Sequence, residues 1–164
     1  RNGTYYTTDY DLSNHYEEGF SVLEKYEPEK VWSAVFFDAE QQFYYLKRFR
    51  FENVVRHTLF IGETEGSYLV ALSGEKRPRF EVVFGGRYES RPAEVIVADE
   101  FIAEKSYKAR GKRVTTYEVK QINEIEPLDS GEEESEETAS TDIDFEITNP
   151  DMLSDETQMK LDFE

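Results

Sequence analysis

The chain has 164 residues, no cysteine and a formal net charge of −17. That length suits one domain with a tail, and the missing cysteine excludes disulfides, thiolate catalysis and Cys-built metal sites, as fits a reducing cytoplasm. No apolar run nears the about 20 residues of a membrane helix; opening at Arg1 without a signal peptide, the sequence reads as a soluble, cytoplasmic piece cut from something longer.

In chain order, runs rich in Tyr, Phe, Val and Thr predict strands at Thr4–Thr8, Phe20–Tyr26, Val31–Phe37, Phe43–Phe51, Thr58–Ile61, Tyr68–Leu72, Phe80–Phe84, Glu94–Ala98, Ser106–Lys108 and Arg113–Ile122. Between them "DAEQQ", "GETEGS", "SGEKRP", "GGRYESRP" and "RGK" supply turn chemistry. No window holds a helical period over three turns, so the class is all-β. Successive strand residues face opposite ways. Phe80, Val82 and Phe84 therefore share a face opposite Glu81, and Thr115, Tyr117 and Val119 share one opposite Glu118 and Lys120. The run "AVFF" at 34–37 is apolar on both faces and is expected between layers. Weak similarity among the stretches beginning at Val31, Thr58 and Ala93 suggests a repeat of roughly 35 to 40 residues, the size of a four-stranded unit. Such a period fits blades around an axis or a simple sandwich.

Charge divides by position. Residues 1–120 hold 18 Lys/Arg and 20 Asp/Glu, a net of −2, whereas residues 121–164 hold one Lys and 16 acids, a net of −15. The body is nearly neutral with local basic clusters, and the tail is a polyanion. The expected division is a β-rich body over 1–124 and a largely disordered acidic tail over 125–164, because "EPLDSGEEESEETASTD" has too little apolar surface to offset ordering entropy. Apolar residues return from Phe145 to Phe163 as a short terminal segment.

The chemistry-bearing motifs are few. His15 and His57 sit in no nucleophile motif, the run "GEEESEE" lacks calcium-loop spacing, and there is neither a P-loop nor a dinucleotide fingerprint. No catalytic residue, metal site or cofactor is assigned. The basic clusters are Lys47, Arg48, Arg50 and Arg56; Lys76, Arg77 and Arg79; Arg87 and Arg91; and Lys105, Lys108, Arg110, Lys112 and Arg113, the last five within nine positions without an acid. Each lies at a turn or strand end, so blades around an axis would set them along one rim. Spaced cations hold duplex DNA by its phosphates, displacing condensed counterions without reading bases. Ordinary solubilising charge is the other reading of the same residues.

Residues 1 to about 125 resemble the C-terminal domain of the A subunit of bacterial type IIA topoisomerases, the DNA gyrase and topoisomerase IV family, and are most similar to the Bacteroidetes-type topoisomerase IV member of that family. The resemblance is carried, in order, by "RNGTYYTTDYDLSNHYEE", "LEKYEPEKVWSAVFFDAEQQFYYLKRF" and "DEFIAEKSYKARGKRVTTYEV". It implies a β-pinwheel of four-stranded antiparallel blades, here partial, that binds and bends DNA along a basic edge. It also implies that the active-site tyrosine, the ATP site and the magnesium site lie in other domains or in the B subunit, and that a second A subunit is a partner. The glutamine-led, double-glycine basic box of gyrase is not found: "KARGKR" at 108–113 lacks the Gln and the paired Gly, which favours a topoisomerase IV-like enzyme without strong DNA wrapping, the alternative being a gyrase whose box lies in a blade upstream of Arg1. A rival from another class is a β-rich interaction module whose acidic tail binds a basic partner.

Two expectations concern the tail. As a tethered polyanion it would compete with DNA for the basic edge. Its terminal Gln158, Met159, Leu161 and Phe163 resemble a sliding-clamp-binding peptide, with the clamp as a candidate partner.

Overall fold

The computed structural model describes residues 2–16 and 18–128. Among the described residues nine strands carry the fold: β1 (Thr4–Tyr5), β2 (Trp32–Asp38), β3 (Phe43–Phe49), β4 (Thr58–Leu59), β5 (Tyr68–Ser73), β6 (Arg79–Phe84), β7 (Glu94–Val97), β8 (Lys112–Arg113) and β9 (Val119–Ile125). A 3-10 turn at Gly86–Tyr88 and the four-residue helix α1 (Ala98–Phe101) interrupt them.

The strands form three antiparallel sheets, ordered β1-β4, β5-β2-β3-β8 and β7-β6-β9, and none closes into a barrel. The two larger sheets repeat one plan. A hairpin (β2-β3, then β6-β7) has its first strand flanked on the other side by a later strand, β5 or β9. In both, that outer pairing slips by one residue, at Val35/Phe36 and at Val83/Phe84. The equivalent strands begin at Trp32 and Arg79, about fifty residues apart rather than 35 to 40. Between β7 and β9 the chain crosses to lend β8 to the first sheet, where Arg113 opposes Tyr45 and Lys112 opposes Leu46. Repeated open sheets that exchange a strand fit a partial β-pinwheel.

Two apolar cores flank β2 and β3. One gathers Trp32, Ala34, Phe36, Tyr45, Phe49, Phe60, Leu69 and Tyr107; the other gathers Val35, Leu46, Phe80, Val82, Phe84, Ala98 and Ile122. Strand alternation divides the residues, so "AVFF" serves both cores, as its unbroken apolarity implies. The expected buried face of Phe80, Val82 and Phe84 is present. The slipped pairing beside Lys120 sets Val119 against Phe84 and Ile122 against Val82, so residues three apart reach the same core.

Several expected strands are corrected. Phe20–Tyr26 forms none: Phe20, Val22 and Leu23 are exposed and find no strand partner among the described residues. Ser106–Lys108 is a turn in which the Ala109 amide donates to the Ser106 carbonyl at 2.9 Å. Arg113–Ile122 is split, because the Thr115 hydroxyl accepts from the Tyr117 amide at 3.2 Å and bends the chain before β9. Glu94–Ala98 ends at Val97, where the Ala98 amide leaves the ladder to donate to the Pro78 carbonyl at 3.0 Å and α1 begins.

Candidate nucleic-acid interface

The 105–113 run is presented by a turn locked onto β3. Tyr107 is buried as its anchor, packed edge-on to Tyr5 at 5.8 Å. The Lys105 amide donates to the Arg48 carbonyl at 2.9 Å, and the Val114 amide donates to the Tyr44 carbonyl at 2.9 Å, so both ends are held by backbone. Gly111 lets the chain reverse: its φ is +94°, and a Cβ there would sit 2.6 Å from the Leu46 oxygen and 2.8 Å from Lys47 Cβ. Gly111→Ala therefore combines a left-handed backbone cost of about 1–2 kcal/mol with a clash against a buried strand. It is expected to lower stability by about 2 kcal/mol or more and to weaken DNA binding by displacing β8. Urea denaturation and DNA titration of the same protein check both effects.

Locked this way, Lys105, Lys108, Lys112 and Arg113 are all exposed, and none makes an ion pair among the described residues. Rings back three of them. Arg113 lies over Phe43 at 4.1 Å, Lys112 over Phe101 at 4.3 Å and Lys108 over Tyr107 at 5.6 Å. Such contacts are worth about 0.5–1 kcal/mol at exposed sites, enough to bias where a long side chain rests without neutralising it. The fifth cation, Arg110, is directed back to Asp38 at 3.6 Å and Glu40 at 3.4 Å.

The remaining candidates divide by partner. Lys47 is corrected outright: it is 3% exposed, and its ammonium donates to the carbonyl oxygens of Phe60, Tyr107 (2.5 Å) and Ala109 (3.2 Å). Burial pushes its pKa down to about 8. It shares a strand face with Tyr45 and Phe49, which point into a core, so it holds the basic turn from beneath and reaches no phosphate. Arg48 is half-buried and donates to the Ile102 carbonyl at 3.4 Å. Arg50 is held by Glu29 at 2.6 Å and Glu104 at 2.8 Å; Arg77 by Asp99 at 3.0 Å and Glu100 at 2.8 Å; Arg91 by Glu94 at 2.7 Å. Arg79 donates to the Glu126 carbonyl at 2.6 Å. Arg56, Lys76 and Arg87 are exposed and make no ion pair among the described residues. Instead of an even rim, acids occupy Arg50, Arg77, Arg91 and Arg110, and the unpaired charge concentrates on the 105–113 turn.

Sequence reading missed the rings beneath the cations, although the alternation in "FYYLKRF" carried part of that signal. Gln158, Met159, Leu161 and Phe163 lie outside the described residues. Among the described residues no group of His, Asp and Glu is arranged to hold a metal ion, and no helix is long and apolar enough to cross a membrane.

The family described as "Topoisomerase C-terminal domain, Bacteroidota" matches residues 1–126. The chain belongs to this family. No curated protein and no solved structure matches it. The family membership agrees with the resemblance read in the sequence and assigns the β-sheet body to the C-terminal part of a type IIA topoisomerase, an isomerase acting on DNA.

Proposed function

We propose that this chain is a DNA-binding and DNA-bending C-terminal domain of a topoisomerase IV-like enzyme, from its A subunit, guiding the duplex while the chemistry occurs elsewhere. Cleavage, ATP and magnesium then belong to other domains and to the B subunit, and a second A subunit joins through regions outside this chain. The observation that carries this reading is the 105–113 turn: four exposed cations without ion pairs among the described residues, on a backbone fixed to β3. Phosphate contacts from such a set give affinity without base reading. A gel shift with linear and supercoiled duplex at two salt concentrations tests it, and retardation insensitive to salt contradicts it.

The acidic tail acts as an internal competitor for that turn. Its net of −15 over residues 121–164 is the motivation. Because β9 runs to Ile125 and the Leu128 amide donates to the Arg77 carbonyl at 2.9 Å, the deletion is best made after Leu128. Removing 129–164 is expected to tighten DNA binding at low salt, with the gain shrinking as salt screens the tail. Equal affinities of the whole and shortened chains at low salt remove the competition. The terminal peptide would serve as a separate contact with the sliding clamp.

An interaction module remains the second reading, favoured by the exposed Tyr10, Leu12, Phe20 and Leu23. It requires no DNA retardation at any salt concentration.

A further inference from the structure

A depression of about 420 Å³ opens where the start of β3, the 3-10 turn and residues 115–119 meet. That size lies in the range of small-ligand sites. Four aromatic residues, Phe43, Tyr44, Tyr88 and Tyr117, share its otherwise largely polar lining, with the last two rings 4.9 Å apart. Arg91 lies over Tyr117 at 4.2 Å and is tied to Glu94, which steadies that ring.

Two cations border this aromatic surface. Arg87 lines it, 5.8 Å from the Tyr88 ring, and Arg113 lies over Phe43. Both are exposed and without ion pairs among the described residues. Glu118 also lines the depression, and its carboxylate lies against Gly86, where a Cβ would fall 2.1 Å from Oε2. It too has no ion pair among the described residues. Aromatic faces, unpaired guanidinium groups and one free carboxylate call for a ligand with a flat π face, a phosphate and a hydrogen-bond donor edge. A phosphorylated tyrosine meets the first two demands, but its acceptor-rich head would be repelled by the carboxylate. An unpaired nucleotide meets all three: the base stacks, the phosphate pairs with arginine, and an amino edge donates to the carboxylate.

We propose that this depression binds one unpaired nucleotide of a single DNA strand, with guanine preferred. Guanine offers two adjacent donors on its pairing edge and so engages both carboxylate oxygens of Glu118; thymine offers one. Stacked duplex bases present neither a free face nor a free pairing edge, so the site is specific for unwound DNA. Arg113 joins the depression to the cations of the 105–113 turn, which would hold the flanking phosphates; for those contacts the proposal rests on the DNA-binding reading.

The test is fluorescence anisotropy with the 164-residue chain, using oligonucleotides of about twelve nucleotides. The ligands are oligo-dT, oligo-dT with one central dG, a duplex, and free dGMP. The dG strand is expected to bind at least about fivefold tighter than oligo-dT. Glu118→Gln should erase that preference while leaving duplex binding unchanged. Tyr88→Ala should weaken both single strands by about fivefold or more, as loss of a stacking ring does, and Tyr88→Phe should retain them. Equal affinity for the dG and dT strands, or a preference that survives Glu118→Gln, overturns the assignment. If dGMP binds as tightly as the dG strand, the site takes free nucleotides and the strand assignment falls. Loss of duplex binding with the dG preference intact would sink the function proposed above and leave this site standing; duplex binding without the preference does the reverse.

Discussion

Lys47→Ala is expected to lower the unfolding free energy by about 3 kcal/mol, far more than removal of a surface lysine. The side chain supplies the hydrogen bonds to the Phe60, Tyr107 and Ala109 carbonyls. An orphaned buried carbonyl costs about 1–3 kcal/mol, so those of Phe60 and Tyr107 cost about 4 at the middle of that range and the part-buried Ala109 carbonyl adds about 1–2. Against this stands relief from burying a charge, the reason its pKa falls to about 8. A fall of that size from the ordinary lysine value corresponds to about 3 kcal/mol at neutral pH, so the carbonyls win by a similar amount. Truncating the stem adds a cavity cost on the same side. Lys47→Met keeps the volume and should cost clearly less. Urea denaturation of the three proteins at neutral pH gives the comparison. Equal stability of wild type and Lys47→Ala would mean that the ammonium does not secure the turn.

The same residue makes stability depend on pH, with a definite sign. Its pKa is about 8 when folded, against an ordinary 10.5. Between those values the unfolded chain binds the proton and the folded chain does not, so stability rises with pH across that window. Burial pushes Tyr5 and Tyr44 up to about 12, which acts oppositely, costing stability as pH climbs past their ordinary value of 10.0. The rise from Lys47 is therefore clearest between about pH 8 and 10. It is absent from Lys47→Met, so wild type gains stability relative to that variant over the window.

Much of the fold is legible in the sequence because alternation and turn chemistry are local. Phe80, Val82 and Phe84 bury together, and "AVFF" lies between two cores, as their patterns require. Local pattern fails where a partner decides. Phe20–Tyr26 has strand-like composition, but a strand exists only if another pairs with it, and none among the described residues does. The apparent repeat spacing misleads because whole similar stretches set it, whereas the structural repeat runs from the first strand of one hairpin to that of the next. Charge alone marks Lys47 as a phosphate contact, although its two-residue spacing from Tyr45 and Phe49 already places it on an inward face. Apart from the local pair of Arg91 with Glu94, ion pairing is not legible: Arg50 meets Glu29 and Glu104, and Arg77 meets Asp99 and Glu100, only after distant turns converge.

Replacing Lys105, Lys108, Lys112 and Arg113 together by glutamine is expected to weaken duplex binding about a hundredfold or more near 0.1 M salt. Each phosphate contact contributes about 0.9 to the slope of log affinity against log salt. Four lost contacts flatten that slope by about 3.6, and at 0.1 M the same relation removes more than about three orders of magnitude if every contact forms. A hundredfold loss corresponds to about half of them engaging. Stability should fall by no more than about 1.5–3 kcal/mol, the sum of three exposed ring contacts, because the turn itself is held by Tyr107, Gly111 and backbone bonds to β3. Arg50→Gln supplies the contrast. Its guanidinium already meets two carboxylates, so phosphate binding must first break those pairs, and the slope should move by less than about half of one contact. If Arg50 flattens the slope as much as a turn cation does, the duplex runs across the acid-paired arginines instead. If the quadruple variant leaves the slope unchanged, the 105–113 turn is a solubilising surface and the duplex-binding assignment loses its physical support.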